Sequence, residues 1–102
     1  MAVKIFIKRS FPDYLTNRLI PLIVKLRTKA INQTGYISGE TLRRMDRQDE
    51  YVVISNWASL EDWNQWLANK EKKEIQAQID DLTGQTTEYT VYEHMVGGHG
   101  TG

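Results

Sequence analysis

The spacing of apolar residues changes along this chain, and each change marks an element. After Val3 and Lys4, Ile5, Phe6 and Ile7 fall on successive positions, which predicts a strand over 3–9 that is covered on both faces. Ser10-Phe11-Pro12-Asp13 breaks it, and Leu15, Leu19, Leu22, Leu26 and Ala30 then recur at steps of four, three, four and four. That stripe predicts an amphipathic helix. Pro21 lies inside it and removes a backbone donor, so the helix is expected to kink or restart there. Gly35 supplies a left-handed stop before an extended run from Tyr36 to Met45.

A polar turn, Asp46 to Glu50, leads into Tyr51-Val52-Val53-Ile54-Ser55-Asn56-Trp57, the most hydrophobic strand, and the two runs read as a hairpin. Ser59 followed by Asp62 can cap a helix in which Trp63, Trp66 and Leu67 share one face. Asn69 can start a further helical segment, with Ile75, Ile79 and Leu82 inside, Lys70 to Glu74 as a solvated face, and Gly84 as its end. Thr87 to Glu93 forms the last strand. Gly97 to Gly102 is too glycine-rich to order itself, which leaves a single domain over 1–96 and a flexible tail over 97–102.

The order strand, helix, strand, strand, helix, strand is the split arrangement of α+β, ferredoxin-like βαββαβ domains with a four-stranded antiparallel sheet. Its helices cover one sheet face. Strands that are apolar on successive residues need a cover for the other face too, and no element of the chain is left for it. A second copy is the economical answer, so a homodimer is expected.

Composition narrows the partners. Lysine plus arginine and aspartate plus glutamate number 13 each, so no charge excess draws the chain to nucleic acid or an anionic membrane. With no cysteine, disulfides, thiolate nucleophiles and cysteine-ligated zinc are excluded together. Neither a signal peptide nor a transmembrane span is visible, and a cytoplasmic location is expected. The partner expected besides a second copy is an aromatic small molecule, because Trp57, Trp63 and Trp66 cluster at one strand-to-helix junction. The same spacing also suits core packing.

The stretches Gly35-Tyr36-Ile37-Ser38-Gly39-Glu40-Thr41-Leu42, Val53 to Trp57, Ser59 to Leu67, Lys73-Glu74-Ile75-Gln76 and Thr87-Glu88-Tyr89 resemble the antibiotic biosynthesis monooxygenase (ABM) family. The resemblance covers roughly residues 3 to 93. It implies a dimeric α/β barrel with a pocket between sheet and helices in each subunit. It also implies one of several activities: cofactor-free oxygenation of polycyclic aromatics or quinols, or haem degradation. The haem-degrading pattern has an asparagine on the first strand, a tryptophan on the second helical region and a histidine ten residues later. Trp66 matches the tryptophan, but Gln76 stands where the histidine would be and Ile5 to Arg9 holds no asparagine. His94 and His99 have no metal-site spacing. No cofactor and no metal is therefore expected.

The ligand-binding candidates are Trp57, Trp63, Trp66 and Tyr92 as aromatic walls, with Glu40 and Arg44, or Arg43 on the opposite face, as base or cation. Strand alternation places Tyr36 and Ser38 on the Glu40 face. No spacing fixes a catalytic residue. Glu40, Arg43 and Arg44 also suit cross-strand ion pairs, and Gly39 a strand bulge. Two functions follow: a cofactor-independent monooxygenase of an aromatic or quinol-type molecule, or a non-catalytic dimeric module that binds a small ligand or regulates.

Overall fold

The structure, a computed structural model, describes residues 1–95. The expected tail over 97–102, with His99, lies outside the described residues. The elements are β1 (Val3–Ser10), a 3-10 turn at Asp13–Leu15, α1 (Thr16–Ile31), β2 (Tyr36–Arg43), β3 (Glu50–Trp57), α2 (Leu60–Leu67), α3 (Lys70–Thr83) and β4 (Glu88–Glu93). The sheet is antiparallel in the order β2-β3-β1-β4, which is the ferredoxin-like βαββαβ topology.

Period two sorts β1 into two sets. Val3, Ile5, Ile7 and Arg9 face the helices, opposite Trp57, Ser55, Val53 and Tyr51 of β3. Lys4, Phe6, Lys8 and Ser10 face the other way. The core therefore lies on one side: Val3 and Ile5, Leu19 and Leu26 of α1, Trp63 and Trp66 of α2, and Ile75 and Ile79 of α3 form one buried cluster around Trp57. α1 and α3 also pack against each other.

Local chemistry explains the ends of these elements. The Ser59 hydroxyl accepts from the Asp62 N–H at 3.1 Å, and the Asn69 side chain accepts from the Lys72 N–H at 3.0 Å, so each helix following β3 has a capped start. Gly84 closes α3 at φ 68. At φ 86, Gly35 makes the turn into β2, and a side chain there would collide with the Asp62 carboxyl. The restart expected as one outcome at Pro21 does not occur, because α1 runs as one helix from Thr16 to Ile31. The donor Pro21 removes would have served Asn17 in the exposed first turn, where water can take its place.

The open face has an apolar centre and polar ends. Phe6 meets the Tyr92 ring edge to face at 4.9 Å, beside Ile54 and Val52 of β3 and Leu42 of β2. At one end Lys4 donates to Asn56 at 2.7 Å and Asn56 to Ser38 at 3.0 Å. At the other, Lys8 lies 3.7 Å from Glu50. Among the described residues no helix is long and apolar enough to cross a membrane.

Candidate active site

A cavity of about 70 Å³, partly open to solvent, lies between the sheet and the three helices. Trp57 is the hub of its aromatic wall. Its indole stacks on Trp66 at 6.4 Å between centroids and an interplanar angle of 22°. It meets Trp63 at 5.8 Å and Tyr36 at 5.4 Å in edge-to-face contacts. Its own N–H is satisfied by the Ser55 hydroxyl at 3.1 Å. Trp63 in turn meets Tyr89 at 5.4 Å. The wall is packed from these mutual contacts, so the apolar part is rigid and preformed.

The other end of the cavity is polar and cationic. Arg9 continues the inward series Val3, Ile5 and Ile7 of β1 and is 8% exposed. Lys72 leads the α3 stripe that continues with Ile75, Gln76 and Ile79, and it is 4% exposed. Both cations meet on the Tyr89–Gln76 pair. Lys72 donates to the Tyr89 hydroxyl, which donates to Gln76 Oε1 at 3.0 Å, and Arg9 reaches the same oxygen at a long 3.5 Å. Gln76 is held in that orientation because its amide nitrogen donates to Thr87 at 2.6 Å and to Asp80 at 2.9 Å, while Thr87 donates to Asp80 at 2.7 Å. Asp80 is thus occupied by neutral donors. Arg9 Nε is buried without a partner among the described residues.

The energetics of this end follow from burial. A desolvated ammonium favours its neutral form, and the nearby Arg9 charge pushes the same way, so the Lys72 pKa falls to about 8 against the weaker opposing pull of Asp80. Burial also lowers the Arg9 pKa. It pushes the Tyr89 phenol up to about 12, which keeps it a neutral hydrogen-bonding link. The site therefore offers flat apolar walls, two under-coordinated cations and one amine that exchanges protons near neutrality.

Of the residues singled out from sequence, Trp57, Trp63, Trp66 and Tyr36 line the cavity, whereas Glu40, Arg44 and Tyr92 do not. Tyr36 was expected on the Glu40 face. A register shift between Tyr36 and Ser38 inserts Ile37 as a bulge, two residues before the glycine expected to carry it, and turns Tyr36 to the helix side. The absence of a side chain at Gly39 makes room for the Tyr36 hydroxyl, which would lie 2.6 Å from any Cβ there. Glu40 pairs opposite Ile54 on the open face, with Ser38 opposite Asn56. Tyr92 lies against Phe6 on that same face. Arg44 sits past the end of β2 in an exposed cluster with Asp46 at 2.6 Å and Glu50 at 3.4 Å, which raises its own pKa and lowers that of Asp46. Arg43 stacks on the Tyr51 ring instead of reaching the cavity. His94 is exposed beyond β4.

The cationic end was not foreseen. Lys72 was read as part of a solvated helix face, but its register with Ile75 and Ile79 turns it inward. Arg9 carried the same signal, a charge in step with alternating apolar residues. Among the described residues no group of three or more histidine, aspartate or glutamate side chains could hold a metal ion.

A ferredoxin-like domain with an aromatic cavity between its helices and sheet has a concave, largely apolar pocket of the kind that small-molecule sites use. The sequence model described as antibiotic biosynthesis monooxygenase matches residues 16–78, more than half of the chain. The chain belongs to the antibiotic biosynthesis monooxygenase family. No curated protein matches it. Similar solved structures include a conserved protein from Methanosarcina mazei Go1, with TM-score 0.82 and 15% identity over 91% of this chain and 92% of that one. SnoaB, a cofactor-independent oxygenase from Streptomyces nogalater, gives TM-score 0.76 and 16% identity over 92% and 93% of the two chains. A Mycobacterium tuberculosis protein gives 0.80 and 16% over 93% and 96%. At these identities the likeness shows the fold, and function must be argued from the site.

Proposed function

We propose that the chain is a cofactor-independent monooxygenase of an electron-rich aromatic, of the phenol or quinol type. The observation that carries this reading is the union of a rigid tryptophan wall with the buried Arg9–Lys72 pair in one cavity. Phenols react with oxygen as their anions, so a site that holds the ring in a dry slot beside fixed positive charge lowers the cost of the anion. Neutral Lys72 accepts the phenolic proton, and as an ammonium it then stays beside the phenolate with Arg9. The phenolate passes an electron to dioxygen, and the radicals combine into a ring peroxide. Loss of water leaves a quinone. One phenol and one dioxygen give one quinone and one water, with all four electrons supplied by the ring. The likeness to a cofactor-independent oxygenase supports this chemistry through the shared fold.

The same reading includes a homodimer. Phe6, Val52, Ile54, Leu42 and Tyr92 form an apolar centre on the face that, among the described residues, no helix covers, with Tyr92 52% and Leu42 44% exposed. A second sheet packed on that centre completes the barrel that the family resemblance implies. An oxygen electrode tests the chemistry: hydroquinones and anthrone-type phenols should be consumed with oxygen in a one-to-one ratio. No protein-dependent uptake across such a panel overturns the oxygenase, and binding without uptake points to the non-catalytic module.

A further inference from the structure

We propose that the Arg9–Lys72 end of the cavity is also a carboxylate subsite, so that a single-ring aromatic acid binds there in competition with the phenol. The proposal goes beyond the oxygenase reading and rests on it for the aromatic half of the ligand. Three observations carry it. First, two cations are buried at one end of the cavity, and Asp80, whose charge acts on both, is engaged by Gln76 and Thr87 and, among the described residues, forms no ion pair with either. Burying an uncompensated charge is costly, and a bound monoanion balances the excess.

Second, the unfilled donors are separate. Among the described residues Arg9 Nε has no partner, and Lys72 Nζ has the Tyr89 hydroxyl alone. A carboxylate has two oxygens and can accept from a guanidinium and an ammonium together, whereas a phenolate offers a single oxygen. Third, the space is small. A volume of about 70 Å³ is near half of the roughly 150 Å³ closed cavity that takes up benzene. One ring can enter with its outer edge in the mouth. The charges facing Lys72 are Arg9, Asp80 and, more weakly, Lys73 beside it on α3. Ligand affinity should therefore fall as pH rises through about 8 and the ammonium is lost.

The tryptophan wall gives the readout. Fluorescence titration of the full chain with benzoate and with neutral benzamide, neither of them oxidisable as a phenol, compares the same ring with and without charge. Benzoate should bind at least about ten-fold tighter at neutral pH, the gain typical of hydrogen bonds to a charged group. This preference should shrink in the wild-type chain at alkaline pH and in Lys72→Met, a variant that removes the charge, keeps the apolar stem and leaves Arg9 in place. Equal affinity for the two ligands, no binding of benzoate, or an unchanged preference in Lys72→Met overturns the subsite. Because benzoate consumes no oxygen, the two readings fail separately. Quinol turnover without benzoate preference refutes the subsite alone, and benzoate preference without turnover refutes the oxygenase alone.

Discussion

Raising the pH should stabilise this protein. Lys72 has a folded pKa of about 8 against 10.5 for a free lysine, so the folded state releases its proton first. Below about pH 8 both states are protonated, and the cost of the buried charge is present in full. Between the two values the unfolded chain binds more protons, so unfolding free energy climbs with pH at up to about 1.4 kcal/mol per unit. Tyr89 acts in the opposite sense, because its raised pKa means that the unfolded phenol ionises first, but only from about pH 10 upward. Integrated from about pH 7 to pH 9.5, the lysine contributes about 2 kcal/mol and the tyrosine removes a few tenths at most. Urea unfolding followed by tryptophan fluorescence at one protein concentration measures this. For an m-value of about 1–2 kcal/mol per M, the midpoint should rise by about 1–2 M. Lys72→Met should flatten the profile. A midpoint that is constant or falls over this range in the wild-type chain refutes the claim that a charged amine is buried beside the cavity.

Two further perturbations separate the fold from the site. Gly35→Ala meets both a left-handed backbone and the Asp62 carboxyl, whereas Gly84→Ala, also left-handed, enters open space. The first should cost about 2–3 kcal/mol in a urea titration and the second about 1 kcal/mol; equal losses would contradict the packing of the turn on α2. Phe6→Asp places a charge in the apolar centre of the open face and leaves the cavity on the other side intact. Light scattering should show a dimer for the parent chain and a monomer for the variant, with benzoate binding retained, and a parent chain that is itself monomeric would remove the second sheet from the account.

Most of the scaffold was legible because its signals are local. Ser59 with Asp62, Asn69, Gly35 and Gly84 each fix an end through their own backbone chemistry, and the α1 stripe is read from spacing alone. The three tryptophans announced an aromatic wall for the same reason. The cationic end was hidden by a habit of reading lysine and arginine as solvent-facing. Arg9 and Lys72 keep step with Ile7 and Ile75, and that register, rather than residue type, decides where they point. The Tyr36 bulge was illegible for a different reason. A one-residue slip reverses every face upstream of it, and it depends on how β2 pairs with β3, which the order of residues does not encode locally. Glu40 was misplaced relative to the cavity by the same error, since its supposed company with Tyr36 ended at Ile37.

The most direct test of the central claim uses dioxygen labelled with oxygen-18 and a single-ring quinol, with the product analysed by mass spectrometry. The account predicts protein-dependent formation of a product that carries one labelled atom, with the second atom recovered in water. A product whose new oxygen comes from solvent, or unchanged quinol after prolonged incubation, would contradict it.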